Sequence, residues 1–209
     1  MTGGRGSGGG AGSVPGRLIA VVGPSGVGKD SVIEGLVARV AGLVRARRTI
    51  TRPADAGGED FEGTTPEAFA ARAAAGAFAL RWEAHGLAYG IPEEELAPLA
   101  AGQDVIANLS RRALPAARAT VPRLVVLALS ARPETLAARL DARGRENEGE
   151  ITRRLARDTG PLPAGLTVLP LANDGKLDDT LRAAEAALFG NRPPMRAGPP
   201  GKPPEQLPR

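Results

Sequence analysis

Nine consecutive residues, Gly23, Pro24, Ser25, Gly26, Val27, Gly28, Lys29, Asp30 and Ser31, carry the clearest chemistry in the chain. Their glycines let backbone N–H groups curl around phosphate oxygens, and the helix start that follows adds partial positive charge. Lys29 is the residue that reaches the β- and γ-phosphates of a nucleoside triphosphate. Of 27 basic residues only Lys29, Lys176 and Lys202 are lysine, so a compact ammonium stands where it fits between phosphates better than a planar guanidinium. The pattern calls for Ser or Thr after the lysine, and the chain has Asp30. Its carboxylate either serves a Mg²⁺ site or caps the following helix, with Ser31 as an alternative hydroxyl ligand.

Three further groups bear on chemistry. The only Trp, His and Tyr, namely Trp82, His85 and Tyr89, fall within eight residues. They form either a polar-lined pocket or a small aromatic cluster beneath a loop. Arg52 ends the segment Thr49-Ile50-Thr51-Arg52; at the carboxyl end of a parallel strand it faces a ligand crevice and can fork onto a phosphate, the alternative being a surface ion pair. Arg139, Arg143, Arg145, Arg153, Arg154 and Arg157 flank Gly144 and the polar stretch 146–149. Such arginines stabilise a transferring phosphoryl group and close out water, and Arg143 and Arg154 are the strongest candidates. Asn173, in Asn173-Asp174-Gly175, either meets an adenine edge or belongs to a turn.

The elements that must position these residues read as alternating strands and helices. Leu18–Val22 is apolar throughout, as a strand buried on both faces requires. The pattern predicts helices over 30–40, 65–75, 92–101, 111–119, 133–143, 150–157 and 178–188, the fourth broken or kinked at Pro115. It predicts strands over 45–51, 78–83, 87–91, 104–109, 124–129 and 166–171, with a polar loop over 53–63. This alternation predicts an α/β fold with a parallel sheet and helices on both faces. Residues 1–16 and 190–209, rich in Gly/Ser and in Pro, read as flexible tails around one domain at 17–189.

Composition narrows the partners. With no cysteine there is no disulfide, thiolate nucleophile or thiolate metal site. No apolar run reaches membrane-spanning length, and the N-terminal segment lacks an apolar signal core, so a cytoplasmic location is expected. The net charge is +4, yet aromatic residues are only 3% of the chain, too few for base stacking along a basic stripe. Anionic small molecules are the expected partners, with no nucleic acid and no membrane; a homodimer is left open.

With these residues in view, the chain resembles the guanylate-kinase-like P-loop kinases over nearly all of 17–189. The resemblance implies a three-layer P-loop NTPase fold with a parallel core sheet, an acceptor-binding insertion near 53–92 and an Arg-rich lid near 140–160. It departs where guanine is read: Asp55 replaces a phosphate-binding Arg, Leu80 a guanine-binding Glu, and Asn108 and Ser110 two acidic positions. A pocket without those carboxylates leaves guanine donors unpaired, which disfavours GMP. Within that superfamily the stretches Gly23–Ser31, Ile50–Arg52, Trp82–Gly90, Asn108–Arg111 and Gly144–Arg157 resemble the ribose 1,5-bisphosphate phosphokinases of phosphonate breakdown. That likeness implies transfer of the ATP γ-phosphoryl group, with Mg²⁺, to a sugar phosphate, forming 5-phosphoribosyl 1-diphosphate. Arg52 and Arg111 then hold acceptor phosphates, and His85, Tyr89, Asn108 and Ser110 bond ribose or phosphate. The alternatives are a guanylate or other nucleoside-monophosphate kinase, and a non-catalytic binding module of the same fold.

Overall fold

A computed structural model describes residues 14–53, 60–141 and 162–190. The core is a five-stranded parallel sheet in the order β2-β7-β1-β8-β9, from Val44–Arg45, Val105–Asn108, Leu18–Val22, Leu124–Ser130 and Thr167–Ala172. The central strand β1 is wholly buried. Leu18, Ala20 and Val22 join one core, while Ile19 and Val21 join the other, so strict alternation serves two apolar faces. Each fully buried aliphatic side chain contributes about 1.5–3 kcal/mol.

Helices α1 (Lys29–Arg39) and α6 (Leu177–Phe189) cover one face and supply Val32, Ile33, Leu36, Leu181, Ala184 and Leu188 to its core. Their close approach depends on Gly35, where a Cβ would stand 2.5 Å from Leu181 Cδ1. Helix α5 (Pro133–Asp141) follows β8 and adds Leu136 to the same core. Helix α4 (Leu114–Thr120) packs on the opposite face through Leu114 and Ala117.

A second sheet, in the order β4-β3-β6-β5, stands beside the core. It comprises Phe61–Gly63, Arg48–Ile50, Leu87–Pro92 and Phe78–Ala84. Leu80, Trp82 and Ile91 on its inner face merge with the core that Leu18 and Val105 also line. Helix α2 (Pro66–Ala74), capped by the Thr65 hydroxyl on Ala68 N–H, carries Phe69, which stacks on Phe78 of β5 at 4.6 Å between centroids. Helix α3 is the single turn Glu93–Leu96.

Three predicted elements differ. The stretch 45–51 is not one strand: it leaves the core sheet after Ala46, whose N–H donates to Ile106 O, and joins the second sheet at Arg48. Arg45 still pairs with Ile106 at the edge of the core sheet, but Arg47 finds its partners outside it: it meets Asp60 through Nε at 2.9 Å and donates its backbone N–H to Glu95 at 2.8 Å. The predicted helix 92–101 ends at Leu96 and continues as a 3₁₀ turn over Ala97–Leu99, because Pro98 has no N–H to donate. Pro115 breaks nothing: a 3₁₀ turn spans Arg111–Ala113, and α4 begins at Leu114 with Pro115 in its first turn, where no N–H is needed. In the predicted loop 53–63, residues Phe61–Gly63 form β4 and 54–59 lie outside the described residues, as do the predicted helix 150–157 and, of the predicted tails, residues 1–13 and 191–209; Gly16, placed in the N-terminal tail by its composition, is buried and donates its N–H to Leu99 O at 2.8 Å.

Candidate active site

The polar residues gather at the carboxyl ends of β1, β7 and β9, where ligands bind in open parallel sheets. The loop Gly23–Gly28 leaves β1 and turns into α1 at Gly28, which is the helix N-cap with φ 90°. Only glycine adopts that conformation without strain, and a Cβ there would also stand 2.8 Å from Asn173 Nδ2. Lys29 folds back across the loop, its Nζ donating to Gly23 O at 2.7 Å and Pro24 O at 3.1 Å.

Asp30 lies within the first turn of α1, so the capping alternative does not hold; Gly28 occupies the cap. Its Oδ1 accepts from Asn108 Nδ2 at 2.9 Å. Asn108 ends β7 and is buried, whereas Asp30 is half-buried and Ser31 exposed. The amide orients one carboxylate oxygen and leaves Oδ2 for another ligand. Among the described residues no group of three or more His, Cys, Asp or Glu could hold a metal by itself. A lone carboxylate beside a phosphate loop suits Mg²⁺, which takes one or two protein carboxylates and fills its remaining positions with phosphates and water.

Asn173 follows β9, its backbone N–H donating to Ser130 O at 2.8 Å. Its side chain is buried beneath the loop: Nδ2 donates to Val27 O at 2.7 Å, and Oδ1 accepts from Thr180 Oγ1 at 2.8 Å. Sequence reasoning offered an adenine contact or a turn for this residue and missed Thr180. The bend itself is made by the next residue, Asp174. Its carboxylate accepts from Arg132 N–H at 2.7 Å and Thr135 Oγ1 at 2.9 Å, and those bonds hold it below the usual aspartate range. This ties down the start of α5, from which Arg139 Nη1 reaches Val27 O at 3.5 Å.

The acceptor candidates divide. Ser110 and Arg111 continue from β7 into the 3₁₀ turn that packs against the second sheet, and Ser110 Oγ is buried without a hydrogen-bond partner among the described residues. Tyr89 pairs with Trp82 across β5 and β6, the rings stacked at 5.4 Å, so the aromatic-cluster reading holds for Trp82. Arg52 does not end a core strand. It follows β3 in the second sheet, with its guanidinium 4.2 Å from the Phe61 ring centroid. His85 sits exposed at the tip of the β5–β6 hairpin, where φ values of 55° at His85 and 74° at Gly86 form the two-residue turn that matches strand twist. Arg143 and Arg154 lie outside the described residues. Besides Thr180, sequence reasoning missed Arg48, which is buried with its guanidinium 5.5 Å from the Tyr89 ring centroid. The available signal was an arginine in a strand on the same face as Ile50 and Tyr89.

No family model matches the chain. Among curated proteins, a ribose 1,5-bisphosphate phosphokinase PhnN from Ruegeria sp. (strain TM1040) is 47% identical over 180 residues, covering 85% of this chain and 94% of that protein. A protein of the same name from Pantoea vagans (strain C9-1) is 48% identical over 167 residues, covering 79% and 93%. A bifunctional ribose 1,5-bisphosphokinase-thymidine phosphorylase from Azorhizobium caulinodans is 44% identical over 184 residues; 87% of this chain matches 27% of that longer protein. Among solved structures, a guanylate kinase from Anaplasma phagocytophilum superposes with a TM-score of 0.63 at 15% identity, covering 85% and 89%, a likeness of fold.

Proposed function

The chain belongs to the ribose 1,5-bisphosphate phosphokinases, and from that premise we propose that it transfers the γ-phosphoryl group of ATP to the 1-phosphate of ribose 1,5-bisphosphate. The products are ADP and 5-phospho-α-D-ribose 1-diphosphate. The observation that carries this reading is the pairing of an intact phosphate loop with an acceptor region stripped of base-reading carboxylates. Leu80 is an apolar core residue at 2% exposure, and Asn108 gives its amide to Asp30.

The attacking group is itself a phosphate oxygen, largely dianionic at pH 7 because the second pKa of a phosphomonoester is about 6. No general base is required. The task for the protein is to bring two anions together, which takes fixed positive charge and exclusion of water. Backbone N–H groups of Gly23–Gly28 and the Lys29 ammonium hold the nucleotide phosphates. Asp30 would hold Mg²⁺, which when bound would supply neutralising positive charge to the nucleotide phosphates. Arg52 and Arg111 bind acceptor phosphates, and His85, Tyr89 and Ser110 bond the sugar and its phosphates. The arginines Arg143 and Arg154 complete the charge around the transferring group.

The test is product identification by ³¹P NMR after incubation with ATP and ribose 1,5-bisphosphate, with GMP and AMP as competing acceptors in an ADP-release assay. A pair of diphosphate doublets that grows only with the sugar phosphate is the expected result. Faster turnover of GMP or AMP would replace this reading with a nucleotide kinase.

A further inference from the structure

We infer that Asn173 and Thr180 are positioning residues that orient the phosphate loop from its core side, and that Asn173 reads no base. The observation is a buried relay between three elements distant in sequence. Thr180 of α6 donates to Asn173 Oδ1 at 2.8 Å, and Asn173 Nδ2 donates to Val27 O at 2.7 Å. Both side chains are nearly sealed, at 3% exposure for Asn173 and 4% for Thr180. The amide is anchored at its own backbone by the bond from Asn173 N–H to Ser130 O.

The consequence follows from peptide geometry. In a trans peptide the C=O and the next N–H point in opposite directions. Drawing the Val27 carbonyl toward Asn173 therefore turns the Gly28 N–H away from the core, in the sense a phosphate oxygen needs. Thr180 sets the amide orientation, since a hydroxyl donating to Oδ1 leaves Nδ2 for the loop. The missing Cβ at Gly28 allows the amide to lie flush against the turn: an added carbon would stand 2.8 Å from Nδ2. A carbonyl oxygen has two acceptor sites, and Arg139 approaches the same one at 3.5 Å from α5. The end of the last strand, the closing helix and α5 thus converge on one peptide unit. An amide buried beneath the loop and engaged at both ends has no edge presented to a nucleobase.

This inference rests on the phosphate loop binding a polyphosphate as proposed above. The experiment is calorimetric titration of wild type, Asn173→Asp, Thr180→Val and Thr180→Ser with Mg·ATP and with Mg·tripolyphosphate, which has no base. Asn173→Asp replaces the donor with a carboxylate facing the Val27 oxygen. It is expected to weaken both ligands by the same factor, at least about tenfold. Thr180→Val is expected to weaken both about threefold, and Thr180→Ser to stay within about twofold of wild type. If Asn173→Asp weakens ATP but leaves tripolyphosphate unchanged, Asn173 reads the base and the inference is overturned. It is equally overturned if both affinities hold while Tm falls, which is the outcome of a purely structural bond. Should Asn173→Asp not fold, the Thr180 pair carries the same comparison. Failure of the acceptor assignment would leave these affinities in place, because no acceptor is present. A wild-type protein that binds neither ligand would overturn both readings.

Discussion

At each end of the β1–β7 pair a carboxylate is tied to a residue from beside the other strand, and the two ends are built oppositely. At the amino end, Asp104 receives the Arg17 backbone N–H at 2.8 Å and its guanidinium at 2.6 and 3.1 Å. Arg17 also donates to Leu188 O at 2.9 Å and lies over the Phe189 ring. Charge meets charge, and the Asp104 side chain is 3% exposed. At the carboxyl end, the hydrogen-bond partner of Asp30 among the described residues is the neutral amide of Asn108. That contact fixes direction without cancelling charge, and the carboxylate stays half-buried beside Lys29. A satisfied buried pair locks one end of two interior strands, whereas an incomplete one leaves a charge for a ligand.

The contrast can be broken at either end. The largest expected effect is at the closed end: Asp104→Ala strands a guanidinium and should cost about 3–5 kcal/mol of stability. That corresponds to a fall in Tm of about 10 °C by calorimetry, with kcat/KM of the folded fraction unchanged. A loss of kcat/KM with Tm intact would show that the amino end is part of the chemistry. At the open end, Lys29→Met should reduce kcat/KM at least about 10²–10³-fold with Tm near wild type. Activity like that of wild type would remove the phosphate loop from the mechanism. Asp30→Asn is a finer test. The apparent Mg²⁺ requirement should rise about tenfold, and Mn²⁺ binding in the presence of ATP, followed by water-proton relaxation, should weaken by a similar factor. An unchanged Mn²⁺ affinity would leave Asp30 as a structural partner of Asn108.

The smallest effect is expected away from both ends, on the outer face of the second sheet. The Thr49 hydroxyl donates to Glu62 at 2.7 Å and Arg72 adds a second contact at 2.8 Å, which hold the Glu62 carboxyl below the usual glutamate range. A lowered folded pKa gives stability that is present above the unfolded value, about 4.3, and is lost as pH falls through the folded value. Thr49→Val should therefore lower Tm by about 1–2 °C at pH 7, and its curve should converge on wild type as pH drops below about 4. A gap constant with pH would mean that Thr49 acts through packing alone.

Local signals were enough wherever chemistry and conformation share a short stretch. The run Leu18–Val22 followed by Gly23–Ser31 specifies strand, loop and helix start by composition and spacing, and the structure has all three in place. The Trp82–Tyr89 pair was legible as a cluster because a two-residue hairpin puts those side chains opposite one another. The prediction for 45–51 failed because strand propensity says nothing about which sheet a strand joins. That was decided by partners, Ile106 O for Ala46 and Phe61 for Arg48.

By itself, then, the sequence determined that this chain holds a phosphate loop on a parallel α/β frame and lacks carboxylates at the positions that would read guanine. The tertiary structure decided what the polar residues around that loop do. Asn108 meets Asp30 across 78 residues and Asn173 meets Val27 across 146. A side-chain amide can donate, accept, bind a base or brace a backbone. Which of these it does depends on the groups that folding sets within 3 Å of it, and for Asn173 those are a loop carbonyl and a helix hydroxyl.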